Sequence, residues 1–214
     1  LTDFLYKGLE RIVQWNLSES LEIPKKMHPM QFAFAKNRST EGALSQVVDT
    51  IEAGLLRDQF TLGVFCDISG AFDSIKISSI LEGMRKKGIP DFLLKWFQDC
   101  LQKRTAEATI NNDTTMRFLT QGTAQGSVGS PLAWNLSIDD ILHELNKPPF
   151  TLVGFADDLC GLVSGKDPNT LVELLQPKLN QIIAMGAEKG LKFNALKTQV
   201  VLYTFKKFKP TKKL

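Results

Sequence analysis

The chain has 214 residues, 43% hydrophobic and 23% charged, the composition of an ordinary globular protein with enough length for one sizeable domain. No apolar run approaches the roughly 20 residues that span a bilayer, and the opening LTDFLYKGLERIVQ lacks the basic-then-apolar pattern of a secretory signal. Net charge is +3, but the last nine residues, KKFKPTKKL, carry five lysines, so residues 1–205 hold 21 basic against 23 acidic groups and exclude a broadly basic surface.

The chain opens in what reads as a helix, without an initiator Met, which suggests a start within a fold. Thr40 is placed to cap a helix whose apolar residues Leu44, Val47, Val48, Ile51 and Leu55 follow helical spacing. The run 61–68, TLGVFCDI, reads as a strand with Leu62, Val64, Cys66 and Ile68 on one face and Phe65 and Asp67 on the other. Ile77, Ile80, Leu81 and Met84 mark a helix ended by Gly88, and Pro90 opens another with Leu93, Leu94, Trp96, Phe97 and Leu101 inward. A hairpin is expected around Asn111–Asp113, and Ser130-Pro131 is a helix start. FTLVGFADDLCGLV reads as two apolar strands joined by a tight acidic turn. Residues 170–188 form an amphipathic helix closed near Gly190, and KFNALKTQVVLYT returns as extended chain. The fold class expected is α+β, an antiparallel sheet with helices packed on one face.

Three cysteines, Cys66, Cys100 and Cys160, sit in apolar runs without a C-x-x-C pair and read as buried free thiols of an intracellular, reducing compartment, nucleus or cytoplasm unresolved. His28 and His143 are far apart and show no zinc-ligand spacing.

The sharpest chemical feature is Asp157-Asp158, two adjacent acids inside an apolar hairpin. A surface turn accounts for such a pair on its own. Asp67, at the end of a second apolar strand, gives the other account: a carboxylate cluster that hard divalent ions such as Mg²⁺ would neutralise.

Asp67-Ile-Ser-Gly-Ala-Phe72-Asp73, Gln125-Gly-Ser-Val-Gly-Ser-Pro131 and Phe155-Ala-Asp-Asp158 occur in the order and spacing of reverse transcriptases, RNA-directed DNA polymerases, and most resemble the non-LTR retrotransposon type. Gln31-Phe-Ala-Phe-Ala-Lys-Asn-Arg-Ser-Thr40 is similar to the family's fingers-to-palm segment, and Gly190-Leu-Lys-Phe-Asn-Ala-Leu-Lys-Thr198 to its motif after the catalytic hairpin. The resemblance implies a palm-like sheet with remnants of the fingers: residues 1–60 partial fingers and connection, 61–205 palm, 206–214 a basic tail. It implies an RNA template, a DNA primer and deoxynucleoside triphosphates as partners. Two Mg²⁺ ions (or Mn²⁺) would be held by Asp67 and Asp157, with Asp158 auxiliary.

Carried over in the same way, Phe72 would crowd the sugar 2′-carbon, Gln125 and Gly126 would line the nucleotide pocket, and Lys197 would lie near the triphosphate. Apart from the resemblance, Phe72 reads as a core aromatic, Gln125-Gly126 as a polar turn and Lys197 as a surface charge. Asp73 reads as a helix cap in preference to a brace for the fingers. The family's usual Gly-Phe-Arg is Ala33-Phe34-Ala35 here, leaving Lys36 or Arg38 to supply positive charge to nucleic acid, and Gly129 replaces a bulkier apolar residue. Basic fingers strands and a thumb are expected outside these residues, with little activity from them alone. A nucleotidyl cyclase and a non-catalytic nucleic-acid-binding remnant of a decayed element are the competing functions.

Overall fold

The computed structural model describes residues 4–111 and 113–206; the lysine tail from 207 onward lies outside them. The chain runs through α1 (Phe4–Trp15), α2 (Thr40–Leu56), β1 (Phe60–Cys66), β2 (Ile68–Ser69), α3 (Ala71–Ser74), α4 (Ile77–Lys86) and α5 (Asp91–Gln102). It continues through β3 (Thr105–Ile110), β4 (Asp113–Phe118), α6 (Ser130–Leu145), β5 (Phe150–Phe155), β6 (Asp158–Gly165), α7 (Pro168–Glu188), β7 (Lys192–Phe193) and β8 (Gln199–Tyr203). Two compact units result. One takes the chain up to Met27, Gly70–Asp139 and Lys189–Leu191; the other takes His28–Ser69, Asp140–Glu188 and the chain from Lys192. No described helix is long and apolar enough to cross a membrane.

The second unit is built on an antiparallel sheet of order β5-β6-β1-β8. Strand periodicity makes the register legible: Leu62, Val64 and Cys66 alternate inward and are buried, and their partners across β6 are Val163, Gly161 and Leu159. Gly161 lies under the Phe150 ring, where a Cβ would come within 2.6 Å of it. The α+β, palm-like sheet expected is present, and its helices are distributed more widely than one face. Ala43 of α2 packs with Val153, Cys160 and Leu162, residues of one face. Leu171 of α7 meets Gly165, which belongs to the alternate set of β6 positions.

Helix α2 departs from the apolar stripe expected of it. Its buried positions are Ala43 and Gly54, while Leu44 is 59% exposed. Small residues let the helix backbone approach the sheet: a Cβ on Gly54 would overlap the Thr61 hydroxyl. Val47 and Ile51 pack at the edge of this contact. The cap is Ser39 rather than Thr40; its hydroxyl accepts the Gly42 N–H at 3.1 Å. His28 and His143, distant in sequence, are ring neighbours with centroids 4.8 Å apart.

The first unit is mainly helical. The expected faces of α4 and α5 are buried at Ile77, Ile80, Leu81, Met84, Leu93, Leu94, Phe97 and Leu101, and Trp96 is only half-buried. Gly83 touches α6 so closely that a Cβ would stand 2.1 Å from the Leu136 carbonyl oxygen. Buried Asp139 pairs with Lys87. Cys66 and Cys160 are buried as expected, but Cys100 on α5 is only half-buried. The β3–β4 hairpin forms as expected and leaves its described residues exposed.

Candidate active site

In the second unit, the last paired residues of β1 and β6 are Cys66 and Leu159. One step outward along each strand stand Asp67 and Asp158, neighbours at the same sheet end. β5 and β6 are joined by a two-residue turn, Ala156-Asp157, with Phe155 opposite Asp158 and Ala156 in the left-handed region at φ +54°. The tight turn sets Asp157 beside Asp158. Partial desolvation holds the Asp158 carboxyl above the usual carboxylate range, and the charges of Asp157 and then Asp67 push it the same way; Lys197 opposes them.

Lys197 reaches this cluster through a local turn. The Asn194 N–H donates to the Asp67 carbonyl at 2.9 Å, fixing β7 beside β2. The Asn194 side chain accepts the Leu196 N–H, and its carbonyl accepts from the Lys197 and Thr198 N–H groups. The turn delivers the Lys197 ammonium to 3.4 Å from the Asp67 carboxylate. Asn194 is a residue that spacing alone did not single out; the Asn-x-Leu side-chain turn was its available signal.

Three carboxylates with one ammonium nearby are the hard-oxygen donor type that suits a divalent cation. As they stand, no three His, Cys, Asp or Glu side chains among the described residues are drawn together into a ready ligand set. A groove of about 710 Å³ adjoins the acids; Asp67, Asp158 and Lys197 line it together with Ala43, Val47 and Phe155.

The first unit carries Phe72, Gln125 and Gly126. Phe72 is half-buried and stacks on buried Trp134, with ring centroids 5.2 Å apart and planes at 25°. Its carbonyl accepts the Thr123 N–H at 2.7 Å, tying it to the chain just before Gln125. Asp73 does not cap a helix. It lies inside the one-turn α3, and α4 begins at Ile77, with Lys76 at the cap position and no side-chain cap. Its carboxylate instead accepts from the Gln125 amide, Nε2 to Oδ1 3.1 Å and to Oδ2 3.2 Å. Cap chemistry lost because Asp73 falls in the turn before α4, where its side chain meets the loop.

Gly126 has φ +83° and nothing within 4 Å of where a Cβ would be. Arg104 steadies the approach to this loop by donating to the Gln121 and Gly122 carbonyls at 2.9 and 2.6 Å. Glu10, absent from every motif, is buried against Ser127 and Val128. Gly129 leaves room at the same place: a Cβ there would stand 3.4 Å from Phe97 and 3.7 Å from Glu10.

Of the two basic residues near Ala35, Arg38 donates to the His28 and Gln31 carbonyls at 2.9 and 2.6 Å, bracing its own loop, while Lys36 is exposed.

The reverse transcriptase (RNA-dependent DNA polymerase) family matches residues 1–213. The chain is 31% identical over 172 residues to the 115 kDa protein of the type-1 retrotransposable element R1DM of Drosophila melanogaster, covering 80% of this chain and 16% of that protein. It is 28% identical to the Pol polyprotein of the type-1 retrotransposable element R1 of Bradysia coprophila, covering 94% of this chain and 20% of that protein. Its fold resembles that of apo telomerase from Candida tropicalis truncated from its C-terminal domain, with a TM-score of 0.63 at 12% identity, covering 92% of this chain and 40% of that one. The chain thus spans about a fifth or less of the length of these retrotransposon relatives. With the five motifs in order and the strand-end acids in one place, the chain belongs to the reverse transcriptase family, on its non-LTR retrotransposon branch.

Proposed function

We propose that this chain forms the catalytic core for template-directed DNA synthesis on RNA, extending a DNA primer with deoxynucleoside triphosphates. Residues 61–205 serve as the palm. The observation that carries the reading is the placement of Asp67 and Asp158 at adjoining strand ends with Asp157 in the turn between β5 and β6.

Asp67, Asp157 and Asp158 would hold divalent ions, Mg²⁺ in the first instance, and such ions would supply electrostatic stabilisation for attack by a 3′-hydroxyl and departure of pyrophosphate. The chain's own part is placement. The sheet sets Asp67 and Asp158 side by side, and the Asn194 turn holds Lys197 where it can steady the triphosphate and donate a proton to the leaving group. Gln125 and the bare backbone of Gly126 contact the incoming nucleotide, and Phe72 excludes a 2′-hydroxyl. A decayed, non-catalytic scaffold gains nothing from three mutually repelling carboxylates, whose repulsion only costs stability.

The test uses the full-length protein that carries this chain. Asp157→Asn keeps the side-chain shape and removes its charge. Mg²⁺-dependent primer extension on RNA is expected to fall at least ~10³-fold, about 4 kcal/mol of barrier, while Mn²⁺ binding followed by paramagnetic resonance weakens and the melting temperature holds. Synthesis retained at the wild-type rate overturns the reading.

A further inference from the structure

The loop bearing Gln125 and Gly126 is gripped by a residue outside all the motifs. Glu10 lies on α1 and is 4% exposed. One of its carboxylate oxygens accepts the Ser127 hydroxyl, and the other accepts the Val128 backbone N–H at 3.0 Å. A carboxylate withdrawn this far from water is expensive unless its oxygens are hydrogen-bonded, and an apolar side chain would fill the same space more cheaply. These two bonds therefore account for a carboxylate at this point of α1, and both run to the loop. Charge assistance strengthens both.

The loop is held at an earlier residue as well. Asp73 fixes the Gln125 amide through both carboxylate oxygens. Between the two grips, Gly126 is bare: its left-handed backbone faces open space. A loop pinned at 125 and again at 127–128, and left uncovered at 126, presents a fixed stretch of main chain to a ligand. A cavity of about 790 Å³ adjoins the two grips, with Glu10, Asp73, Arg104, Gln125 and Ser127 in its lining beside Trp96 and Phe97.

We propose that Glu10 is a positioning residue for the incoming nucleotide: through Ser127 and Val128 it sets the loop so that Gly126 and Gln125 meet the nucleotide in register. This rests on the polymerase reading above. Glu10 itself touches no substrate.

The experiment compares wild type, Glu10→Ala and Glu10→Gln in the full-length protein, with Asp157→Asn beside them. Amide hydrogen exchange of the 124–129 segment reads the grip without reference to activity. Exchange at Val128 is expected to rise at least ~10-fold in Glu10→Ala, the loss of one well-made hydrogen bond's worth of protection. The KM for deoxynucleotide is expected to rise ~10-fold with kcat and template–primer affinity within about threefold. Glu10→Gln, which keeps one acceptor oxygen, should fall between the two. If Glu10→Ala does not fold, Glu10→Gln and Ser127→Ala decide, the first removing the charge that strengthens the grip and the second its hydroxyl bond. Unchanged exchange at Val128 overturns the proposal. Faster exchange with an unchanged nucleotide KM, in a protein whose synthesis Asp157→Asn abolishes, overturns the link to substrate. If Asp157→Asn leaves synthesis intact, the polymerase reading falls instead, and the exchange rate alone decides whether Glu10 holds the loop.

Discussion

Lys197 stands 3.4 Å from the Asp67 carboxylate, although 130 residues separate the two in the chain. Both side chains keep substantial exposure, so the ion pair stabilises the fold by less than ~1 kcal/mol. Lys197→Ala should therefore leave the melting temperature within about 2 °C of wild type. Primer extension by the full-length protein should fall ~10-fold or more, the scale of a lost acid or charge contact. A melting curve and a steady-state rate together check this. A large loss of stability would make Lys197 a structural brace.

Phe72 is expected to govern sugar selection. Its ring already stacks on Trp134, so truncation removes packing as well as any barrier beneath the sugar. Phe72→Val should raise ribonucleotide over deoxynucleotide incorporation at least ~10-fold, about 1.4 kcal/mol of discrimination. It should also cost ~1–3 kcal/mol of stability. The ratio of the two specificity constants separates these effects. An unchanged ratio with a lowered melting temperature assigns Phe72 to the core alone.

Three glycines should rank by what surrounds them. Gly83→Ala puts a Cβ 2.1 Å from the Leu136 backbone carbonyl, which cannot swing aside, and should cost at least ~3 kcal/mol. Gly161→Ala meets the Phe150 ring at 2.6 Å, a side chain that can shift, and should cost ~1–3 kcal/mol. Gly88→Ala meets nothing within 4 Å but sits at φ +75°, where ~1 kcal/mol of backbone strain is expected. Urea unfolding of the three variants tests the order.

The cysteines should alkylate in a fixed sequence. Burial pushes the Cys66 thiol up to about 11 and the Cys160 thiol up to about 12. At pH 8 both remain protonated as well as hidden, and the thiolate is the reactive form. Cys100 is half-buried and should react first with iodoacetamide, the other two only on unfolding. Peptide mass mapping over time would show the order; early labelling of Cys160 would contradict the packing.

Much of this was readable from local pattern. The β1 alternation, the β5–β6 hairpin and the apolar faces of α4 and α5 follow from side-chain period, which any isolated segment displays. What escaped depended on partners remote in sequence. Leu44 and Val48 of α2 look inward by spacing, yet Ala43 and Gly54 make the contact because the sheet demands close approach. Ser39 displaces Thr40 as the cap by one position, a boundary that composition does not resolve. Asp73 resembles a cap until Gln125 arrives from 52 residues away. Glu10 reads as one more charge on α1, since its partners lie 117 and 118 residues on. The proximity of Asp67 to Asp158 likewise belongs to strand pairing, and the position of both acids at the ends of apolar strands was the signal that anticipated it.

The β3–β4 hairpin is stitched to itself through its ladder and a Thr109–Thr114 hydroxyl contact of 3.0 Å, while its described residues all stay largely exposed. Folding therefore draws little free energy from it, because burial is what an element contributes. Its tip is in effect an insertion port: a peptide tag or fluorophore-bearing loop spliced there would add only the slowly growing entropy of a longer closed loop, under ~1 kcal/mol for each doubling. That gives the chain a handle remote in sequence from Asp67 and Asp157, through which it can be immobilised or watched.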